Sequence, residues 1–411
     1  MAMPRDTSDS DALIRLLDAA RLIPPDRLAD LTLEVAEASG ARAVRIYLID
    51  HSLRRLLPYA DPDAKAFDVN GTMGGRAYVT NETVETHRDD RITLWVPLRD
   101  GVDRLGVIQF EVAELDDDRR EMLTRIAAIA AAEVVSKGQY TDLFALARCD
   151  RPMTMAADLQ RDLMPPQTFA TTDLSVVSAI EPAYSAAGDT CDYAYNNGVL
   201  HAAVFDAIGH DFNASVVSAV AVAAYRHARR KQLDLPQIAA TIDAAIEGQF
   251  GDIMFSTAIL VTLDVARGLL RWINAGHPPP LHIRHGRVVG TMGRPSIPPL
   301  GLASITGVSA AAQPQELSLE PDDRVLLYTD GIVEARSADG EDFGLERLQD
   351  FLHRAIASDT PDAEIVRRLS HAVVDHHDGQ LKDDATLLMI SWHPDRSGPA
   401  HPPESRPEPE H

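Results

Sequence analysis

The chain has 411 residues, 45% hydrophobic and 25% charged, which is the composition of an ordinary globular protein of two or three domains. Its net charge of −23 argues against nucleic acid as the main partner, because binding the phosphate backbone requires a basic surface. Two cysteines, Cys149 and Cys191, are too few for a disulfide framework, so we expect a cytoplasmic protein. No run approaches the roughly 20 apolar residues that span a bilayer, so no membrane association is expected.

The first third of the chain is predicted to form a helical segment and a strand-rich domain. Residues 10–38 have the apolar spacing of two helices interrupted at Pro24 and Pro25. The following runs predict two hairpins and, between them, a glycine-rich turn that opens a short helix. The hairpin strands are 44–49 with 54–59 and 94–98 with 105–110, and the turn is 71–75.

A long helix is predicted from Asp117 to Cys149, with an apolar stripe along one side. The stripe consists of Leu123, Ile126, Ala130 and Val134. It has two interpretations, packing on its own domain or pairing with a second copy as a dimer seam. A second helix carries Leu159 and Leu163 and ends before Pro165.

The remainder of the chain alternates strands with pairs of helices, which indicates an α+β class with antiparallel pairing. The strands are predicted near 174–180, 199–205, 256–263, 269–273, 324–328 and 385–391. The helices are predicted near 213–231, 236–248, 344–357 and 362–377. The tail, 393–411, is rich in proline and charge and is predicted to be disordered.

Four aspartates lie at the edges of apolar strand-like runs: Asp189, Asp206, Asp330 and Asp383. Hard cations such as Mg²⁺ and Mn²⁺ prefer oxygen ligands, and carboxylates at strand ends can converge on one point. A single aspartate beside a glycine usually marks a turn or a helix cap, but four in this setting favour a metal-dependent hydrolase. The sequence has no Cys-x5-Arg loop, no Asp-x-Asp-x-Thr pattern and no P-loop, so other phosphoryl-transfer mechanisms are not indicated.

Nine motifs between residues 155 and 390 resemble, in the same order, those of one family. This is the stage II sporulation E and stress-regulator branch of the PP2C-type protein serine/threonine phosphatases. The first five motifs are ADLQRDLMP at 157–165, AGDTCD at 187–192, FDAIGH at 205–210, FSTA at 255–258 and NAGHPPP at 274–280. The other four are PLGL at 299–302, LYTDGIVEA at 327–335, FGLERL at 343–348 and KDDAT at 382–386.

The resemblance implies an αββα sandwich with two Mn²⁺ or Mg²⁺ ions at one end of its sheets. Asp206 would bridge both ions, with the carbonyl of Ala207 as a further ligand and a metal-bound water as the nucleophile. Asp330, implied with Asp206 as a catalytic residue, and Asp383 would bind one ion, and Asp189 would lie in or beside the shell of the other. Asp192 and Asp384 would lie just outside the ligands.

The chain departs from the family pattern at two glycines, which are Ala187 and Asp211 in this sequence. Asp211 adds a carboxylate that could act as a ligand, lie beside the ligands or repel a phosphorylated substrate. If the glycine has φ > 0 there, aspartate tolerates that conformation better than most residues. His277 is a candidate general acid, although a structural role is favoured, and Cys191 is expected to be inert because no basic neighbour would lower its pKa.

The N-terminal block resembles a GAF sensory domain through 44–50, 71–80 and 95–110 followed by a long helix. It contains no cysteine to attach a bilin, and a small-molecule ligand or a purely structural, dimerising role both remain open. The predicted organisation is a helical segment (1–26), the GAF-like domain (27–138), linker helices (139–166), the phosphatase-like domain (167–392) and the tail (393–411).

By resemblance, the expected function is dephosphorylation of a STAS-type anti-anti-sigma protein, which would control release of a sigma factor. The GAF-like domain would gate this activity through the helices around 117–163, in a homodimer. The alternative is a catalytically weak relative that binds the same partner without turning it over.

Overall fold

The structure is a computed structural model, and it describes most of the chain. The described residues are 13–14, 17–88, 91–185, 188–209, 211–251, 253–293, 297–306, 313–377, 381 and 383–394. Nearly all of the tail predicted to be disordered therefore lies outside the described residues, as do Ala187, His210 and Lys382.

The N-terminal domain is built on a six-stranded antiparallel sheet with the order β3-β2-β1-β6-β5-β4. Both predicted hairpins are confirmed, β1 with β2 and β5 with β6. The strands are β1 (Ala41–Ile49), β2 (Arg55–Tyr59), β3 (Phe67–Asp68), β4 (Val84–Arg88), β5 (Arg91–Asp100) and β6 (Asp103–Val112). A short 3-10 turn, Pro25–Arg27, precedes helix α1 (Leu28–Glu37), as the two prolines predicted.

Each face of this sheet has its own apolar core. One face packs against α1 and the long helix α3 (Asp117–Gly138). The other face carries α2 (Met73–Thr80) and an aromatic group of Tyr47, Phe67 and Trp95, whose ring centroids lie 4.8–6.0 Å apart. A Cβ at Gly74 would lie 2.8 Å from the Phe67 ring, so the side chains fill this face closely.

The predicted helix from Asp117 to Cys149 is too long, because α3 ends at Gly138 and a separate short helix α4 (Leu143–Ala147) follows. Glycine is a weak helix former, and Asp142 begins the next helix. The apolar stripe of α3 is buried in the core of its own domain, from Leu123 to Val134. The prediction that the stripe packs on its own domain is therefore confirmed, and the alternative prediction that it forms a dimer seam is wrong.

Helix α5 (Met155–Leu163) leads into the C-terminal domain, which contains two antiparallel sheets. The first has the order β15-β12-β11-β10-β9. Its strands are β9 (Asp189–Asn196), β10 (Val199–Ala207), β11 (Ser256–Asp264), β12 (Leu269–Ala275) and β15 (Gln315–Ser318). Its outer face is covered by helices α6 (Phe212–Arg230) and α7 (Leu235–Phe250).

The second sheet has the order β14-β13-β16-β17-β8-β7. Its strands are β7 (Thr168–Ala170), β8 (Leu174–Glu181), β13 (Leu281–Arg284), β14 (Arg287–Thr291), β16 (Arg324–Tyr328) and β17 (Ala385–Trp392). Two short helices, α8 (Ala303–Thr306) and α9 (Asp330–Val333), lie in its connections. Its outer face is covered by α10 (Gly344–Ala357) and α11 (Asp362–His376).

The two sheets pack face to face around a third apolar core, to which both sheets contribute alternate residues. The layers are therefore helix, sheet, sheet and helix. The predicted αββα sandwich is confirmed, and so is the antiparallel pairing throughout both sheets. Within the described part of the chain, no helix has both the length and the apolar character needed to cross a bilayer.

Candidate metal centre and active site

Asp189 and Asp206 lie directly opposite each other on the paired strands β9 and β10. Both face the second sheet, since Cys191 and Val204, two residues along each strand, belong to the core between the sheets. Like charges placed opposite each other on neighbouring strands are destabilising. The strand register therefore creates a position at which a cation would be favourable.

The second sheet supplies the other two aspartates from its neighbouring strands β16 and β17. Asp330 begins α9 directly after β16, and Asp383 lies just before β17. Asp206, Asp330 and Asp383 line one open cleft of about 680 Å³. The other residues that line it are Ala207, Ile208, Gly209, Phe255 and Thr257. The structure thus brings together every predicted ligand except Asp189 in the wall of one cleft, with Asp189 beside Asp206.

Asp189 is almost fully buried and is held by polar groups from three other segments. The Thr329 hydroxyl donates to its carboxylate (2.6 Å), and the Gln160 amide donates to its backbone carbonyl. The Asp384 carboxylate accepts hydrogen bonds from the backbone N–H groups of Gly188 (2.6 Å) and Asp189 (3.1 Å). Asp384 therefore positions the start of β9 through these two hydrogen bonds.

The carboxylates of this centre influence one another electrostatically. Burial, followed by the neighbouring Asp330, Asp383 and Asp384 carboxylates, raises the pKa of Asp206 to about 7. Burial and then Asp206 raise the pKa of Asp189 well above its ordinary value. Burial, Asp383 and Glu334 raise the pKa of Asp330. In all three cases burial is the largest cause and neighbouring carboxylates add to it, so a divalent cation would stabilise the ionised carboxylates.

The oxygen-only donor set suits a hard cation such as Mn²⁺ or Mg²⁺. Among the described residues, however, no three histidine, cysteine, aspartate or glutamate side chains form a ready-made ion site. Asp206, Asp330 and Asp383 share a cleft without closing on a single point. By chemistry and position these residues fit a pair of hard divalent ions, and small side-chain movements would have to complete the coordination.

Two of the predicted neighbouring aspartates have other partners. Asp192 lies on the helix-facing side of β9, where its carboxylate pairs with Arg226 and Arg229 of α6, both at 2.8 Å. Asp211 is the N-cap of α6 and accepts hydrogen bonds from the backbone N–H groups of Asn213 (3.0 Å) and Ala214 (3.2 Å). Its φ of −109° is open to any residue, so this position does not require glycine.

His277 and Cys191 are both buried, and neither is suited to proton transfer or nucleophilic attack. The His277 ring nitrogen Nδ1 lies 2.7 Å from the Thr257 hydroxyl, and burial lowers the pKa of this histidine to about 3. It is therefore neutral near pH 7, which supports the structural interpretation. Burial raises the pKa of Cys191 to about 12, so this thiol is inert, as predicted.

The sequence motifs contained three positioning residues that were not singled out. Thr329 links both sheets, because it donates to Asp189 and accepts from the backbone N–H of Thr386 (2.8 Å). Gln160 reaches the centre from α5, and the Ser256 hydroxyl donates to the carbonyl of Asp206 (3.1 Å). The signal that could have found them is their place in the motifs: Thr329 precedes Asp330, Gln160 lies in the motif at 157–165, and Ser256 lies in the motif at 255–258.

A comparison with protein families matches residues 196–393 to the family described as Stage II sporulation protein E. The protein IcfG of Synechocystis sp. is 28% identical over 147 residues, which cover 35% of this chain and 22% of IcfG. The phosphoserine phosphatase RsbU of Bacillus subtilis is 22% identical over 240 residues, which cover 57% of this chain and 68% of RsbU. The chain therefore spans only about a fifth of the first of these relatives.

Among solved structures, the SiaA-PP2C domain of Pseudomonas aeruginosa is similar with a TM-score of 0.49 and 21% sequence identity. The similarity covers 57% of this chain and 94% of that domain.

Proposed function

We propose that the protein is a PP2C-type serine/threonine phosphatase, and that it hydrolyses phosphoserine or phosphothreonine in a partner protein; support comes from the match of residues 196–393 to the stage II sporulation E family. The observation that carries the proposal is the shared cleft of Asp206, Asp330 and Asp383, with Asp189 opposite Asp206. This set provides the oxygen ligands that a two-ion phosphatase centre needs.

Each aspartate has a distinct part in the proposed centre. Asp206, near the end of β10 and between the two sheets, would hold the ions together with the carbonyl of Ala207. Asp330 and Asp383 would supply further ligands from the second sheet, and Asp189 would lie at the ions beside Asp206. When bound, the two Mn²⁺ or Mg²⁺ ions lower the pKa of a water molecule and neutralise the phosphoryl oxygens for in-line attack.

The surrounding side chains keep these carboxylates in place. Asp384 fixes the backbone of Gly188 and Asp189, and Thr329 orients the Asp189 carboxylate from the second sheet. Thr329 directly precedes Asp330, and its hydroxyl accepts a hydrogen bond from the backbone N–H of Thr386, three residues after Asp383. Thr329 therefore fixes the positions of Asp189, Asp330 and Asp383 relative to one another. Asp192 contributes only indirectly, by anchoring β9 to α6.

The proposed substrate is a phosphorylated STAS-type anti-anti-sigma protein, whose dephosphorylation would alter the release of a sigma factor. Support comes from the family match of the domain and from RsbU, which is itself named a phosphoserine phosphatase. The open cleft and its partly exposed Asp206 and Asp330 carboxylates are suited to a phosphorylated side chain at a protein surface.

We further propose that the N-terminal, GAF-like domain gates the activity. Its turn at residues 50–54 contacts α11, since Arg367 donates to the carbonyl of Leu53 (3.2 Å) and His371 Nε2 lies 2.8 Å from the carbonyl of Ser52. The chain reaches Asp383 seven residues after α11 ends at His376. A shift of the turn would thus be transmitted to the segment that carries a proposed ligand.

The same turn also contacts the segment that leads to Asp189. The Tyr184 hydroxyl donates to the Asp50 carboxylate (3.0 Å), and Tyr184 lies five residues before Asp189. Both contacts support regulation through the N-terminal domain.

We also propose that the protein is cytoplasmic and acts as a homodimer. The N-terminal domain could in addition bind a small molecule, and native mass spectrometry of the full chain tests this by detecting a co-purifying ligand.

The decisive experiment is hydrolysis of a phosphoserine protein by the full chain with and without added Mn²⁺. We expect Asp206→Asn and Asp330→Asn to lower the rate at least about 100-fold, since each removes an oxygen ligand. They should also abolish any Mn²⁺-dependent rise in melting temperature. Asp264→Asn, at the opposite end of β11, is the matched control. Full activity in Asp206→Asn would overturn the metal assignment.

The alternative of a catalytically weak binding module rested on Asp211. Because that side chain caps α6 and its backbone is extended, the structure offers no steric reason for lost activity. Metal binding without turnover in the natural chain, with turnover restored by Asp211→Gly, would favour the alternative.

A further inference from the structure

Three large apolar side chains are exposed beside the candidate active site. They are Ile208, Phe212 and Ile253, with exposed fractions of 41%, 42% and 76%, and we call them the rim patch. Single exposed apolar residues are common on protein surfaces and need no explanation. The rim patch differs because its members lie on two adjoining segments at the mouth of a polar cleft.

The register of the first sheet brings these two segments together. Ala207, the last residue of β10, pairs with Ser256, the first residue of β11, so both strands leave the sheet at the same edge. The chain continues from Ala207 to Ile208 and Phe212, and it arrives at Ser256 from Ile253. A hydrogen bond from the Ile208 N–H to the carbonyl of Phe255 (3.0 Å) joins the two segments beyond the sheet.

One member of the rim patch, Ile208, lines the cleft that contains the proposed metal ligands. Ile208 and Phe255 line the same cleft as Asp206. A substrate whose phosphate lay at Asp206 would therefore extend its neighbouring residues across this wall. An extended segment advances about 3.3–3.6 Å per residue, so side chains within three residues of the phosphorylated one reach about 10 Å from it.

The opposite wall of the cleft has a different chemical character. It carries Asp330 and Asp383, and the exposed Glu334 lies one turn beyond Asp330 on a connected part of the surface. The Glu334 carboxylate is not a proposed metal ligand, so it disfavours an acidic segment even when ions are bound, whereas the rim patch favours an apolar one. The two walls together select against phosphorylated sites that have acidic neighbours.

We propose that the rim patch binds the segment next to the phosphoserine of the substrate protein, and that this segment carries a large apolar side chain within three residues of the phosphoserine. The inference rests on the proposed phosphatase function and adds a determinant of substrate choice to it. Burying apolar side chains against Phe212 and Ile253 removes apolar surface from water on both partners. The occupant is thus a phosphoprotein segment of defined chemistry.

The test uses the full chain with Mn²⁺ and a set of phosphoserine peptides that differ at one flanking position, leucine, glycine or glutamate. We expect the kcat/KM for the leucine peptide to exceed that for the glycine peptide by about tenfold, mainly through KM. The glutamate peptide should be the poorest substrate. In the double variant Phe212→Ser/Ile253→Ser, the kcat/KM values for the leucine and glycine peptides should become about equal.

Val289→Ser is the matched control, because Val289 is a similarly exposed apolar residue that lies away from the active site. It lies on β14, which follows the end of β13 that is farther from Asp330. This variant should keep the leucine preference. A second variant, Phe212→Leu/Ile253→Leu, retains apolar surface and should keep most of the preference. If the leucine variant keeps the preference, its loss in the serine variant is caused by the lost apolar contact and not by damage to the fold.

The outcomes distinguish this inference from the proposed function. Turnover of p-nitrophenyl phosphate and of all peptides without a leucine preference would overturn the inference alone. A complete lack of turnover would overturn the proposed function and the inference together. If the serine variant kept its leucine preference but lost a self-association seen in sedimentation, the rim patch would be a contact between copies of the chain, and the inference would fail.

Discussion

Glu181 shows how strongly the environment of a single residue is set by its position at the junction of the domains. It ends β8, opposite Ala385 of β17, and is almost fully buried. Its carboxylate accepts a hydrogen bond from the backbone N–H of Ala183 (3.0 Å). Burial raises the pKa of Glu181 to about 7, although the Ala183 N–H, Arg54 and Arg161 oppose the shift.

This shift predicts that Glu181 lowers the stability of the folded protein as pH rises. The folded state holds the proton more tightly than the unfolded chain, whose glutamate has a pKa of 4.5. The contribution is therefore fully favourable below pH 4.5 and is lost as pH rises to about 7. A shift of this size corresponds to at most about 3 kcal/mol.

We expect Glu181→Gln to become more stable relative to the natural protein at pH 8 than at pH 5, by about 1–3 kcal/mol. The amide keeps an oxygen that can accept from Ala183 but cannot ionise. Urea unfolding of both proteins at the two pH values measures the difference. Glu346→Gln, on the exposed side of α10, is the control and should show no such pH dependence. An equal difference at pH 5 and pH 8 would contradict the prediction.

At the scale of elements, helix α11 is the surface on which the N-terminal domain docks. Arg367 is almost fully buried and pairs with Glu364 (2.7 Å) while donating to Leu53 and Asn70 of the N-terminal domain. Arg104 of β6 donates to the carbonyl of Ala363 (3.1 Å) from the other side. Helix α11 thus packs its apolar face on the second sheet of the C-terminal domain and its charged face on the N-terminal domain.

Substituting Arg367 by methionine should loosen this docking. The change removes the bonds to the N-terminal domain and leaves Glu364 with fewer partners, and breaking a buried ion pair typically costs about 3–5 kcal/mol. We expect faster amide hydrogen exchange in residues 50–55 and in α11, together with a changed rate of phosphopeptide hydrolysis. Arg354→Met on the exposed side of α10 is the matched control. Unchanged exchange at 50–55 would exclude α11 as the docking element.

The elements differ in how well their sequences predicted them, for physical reasons. Strands β10, β11 and β17 are buried on both faces and read as continuous apolar runs. Strand β9 was not predicted, because it carries Asp189 on one face and Asp192 on the other. Arg367 and Glu364 of α11 are buried, although charged residues on a helix normally indicate a solvent-exposed face, so the sequence pattern does not reveal this contact.

At the scale of the whole molecule, the ordered motifs predicted the four-layer sandwich and the meeting of the aspartates at one end of it. They could not predict how the N-terminal domain lies on the C-terminal one. That arrangement depends on polar contacts between residues far apart in sequence, such as Tyr184 with Asp50, which leave no local periodicity. The coordination of ions likewise depends on side-chain placement finer than a motif specifies.

The proposed homodimer must use a surface other than the stripe of α3, which its own domain buries. The linker offers an alternative, since Leu143 and Leu146 are exposed on one side of α4, with Tyr140 and Met155 exposed nearby along the chain. Residues three apart in a helix share a face, so Leu143 and Leu146 can contact a partner together.

We therefore expect Leu143→Glu/Leu146→Glu to weaken dimerisation at least about tenfold, because the two carboxylates would be buried against a second copy. Sedimentation velocity over a range of protein concentrations measures the dissociation constant. Leu22→Glu, at a leucine that is 91% exposed, is the control and should leave the dissociation constant unchanged. A dimer equally strong in both variants would place the contact elsewhere, and a natural chain that is monomeric at every concentration would refute the homodimer itself.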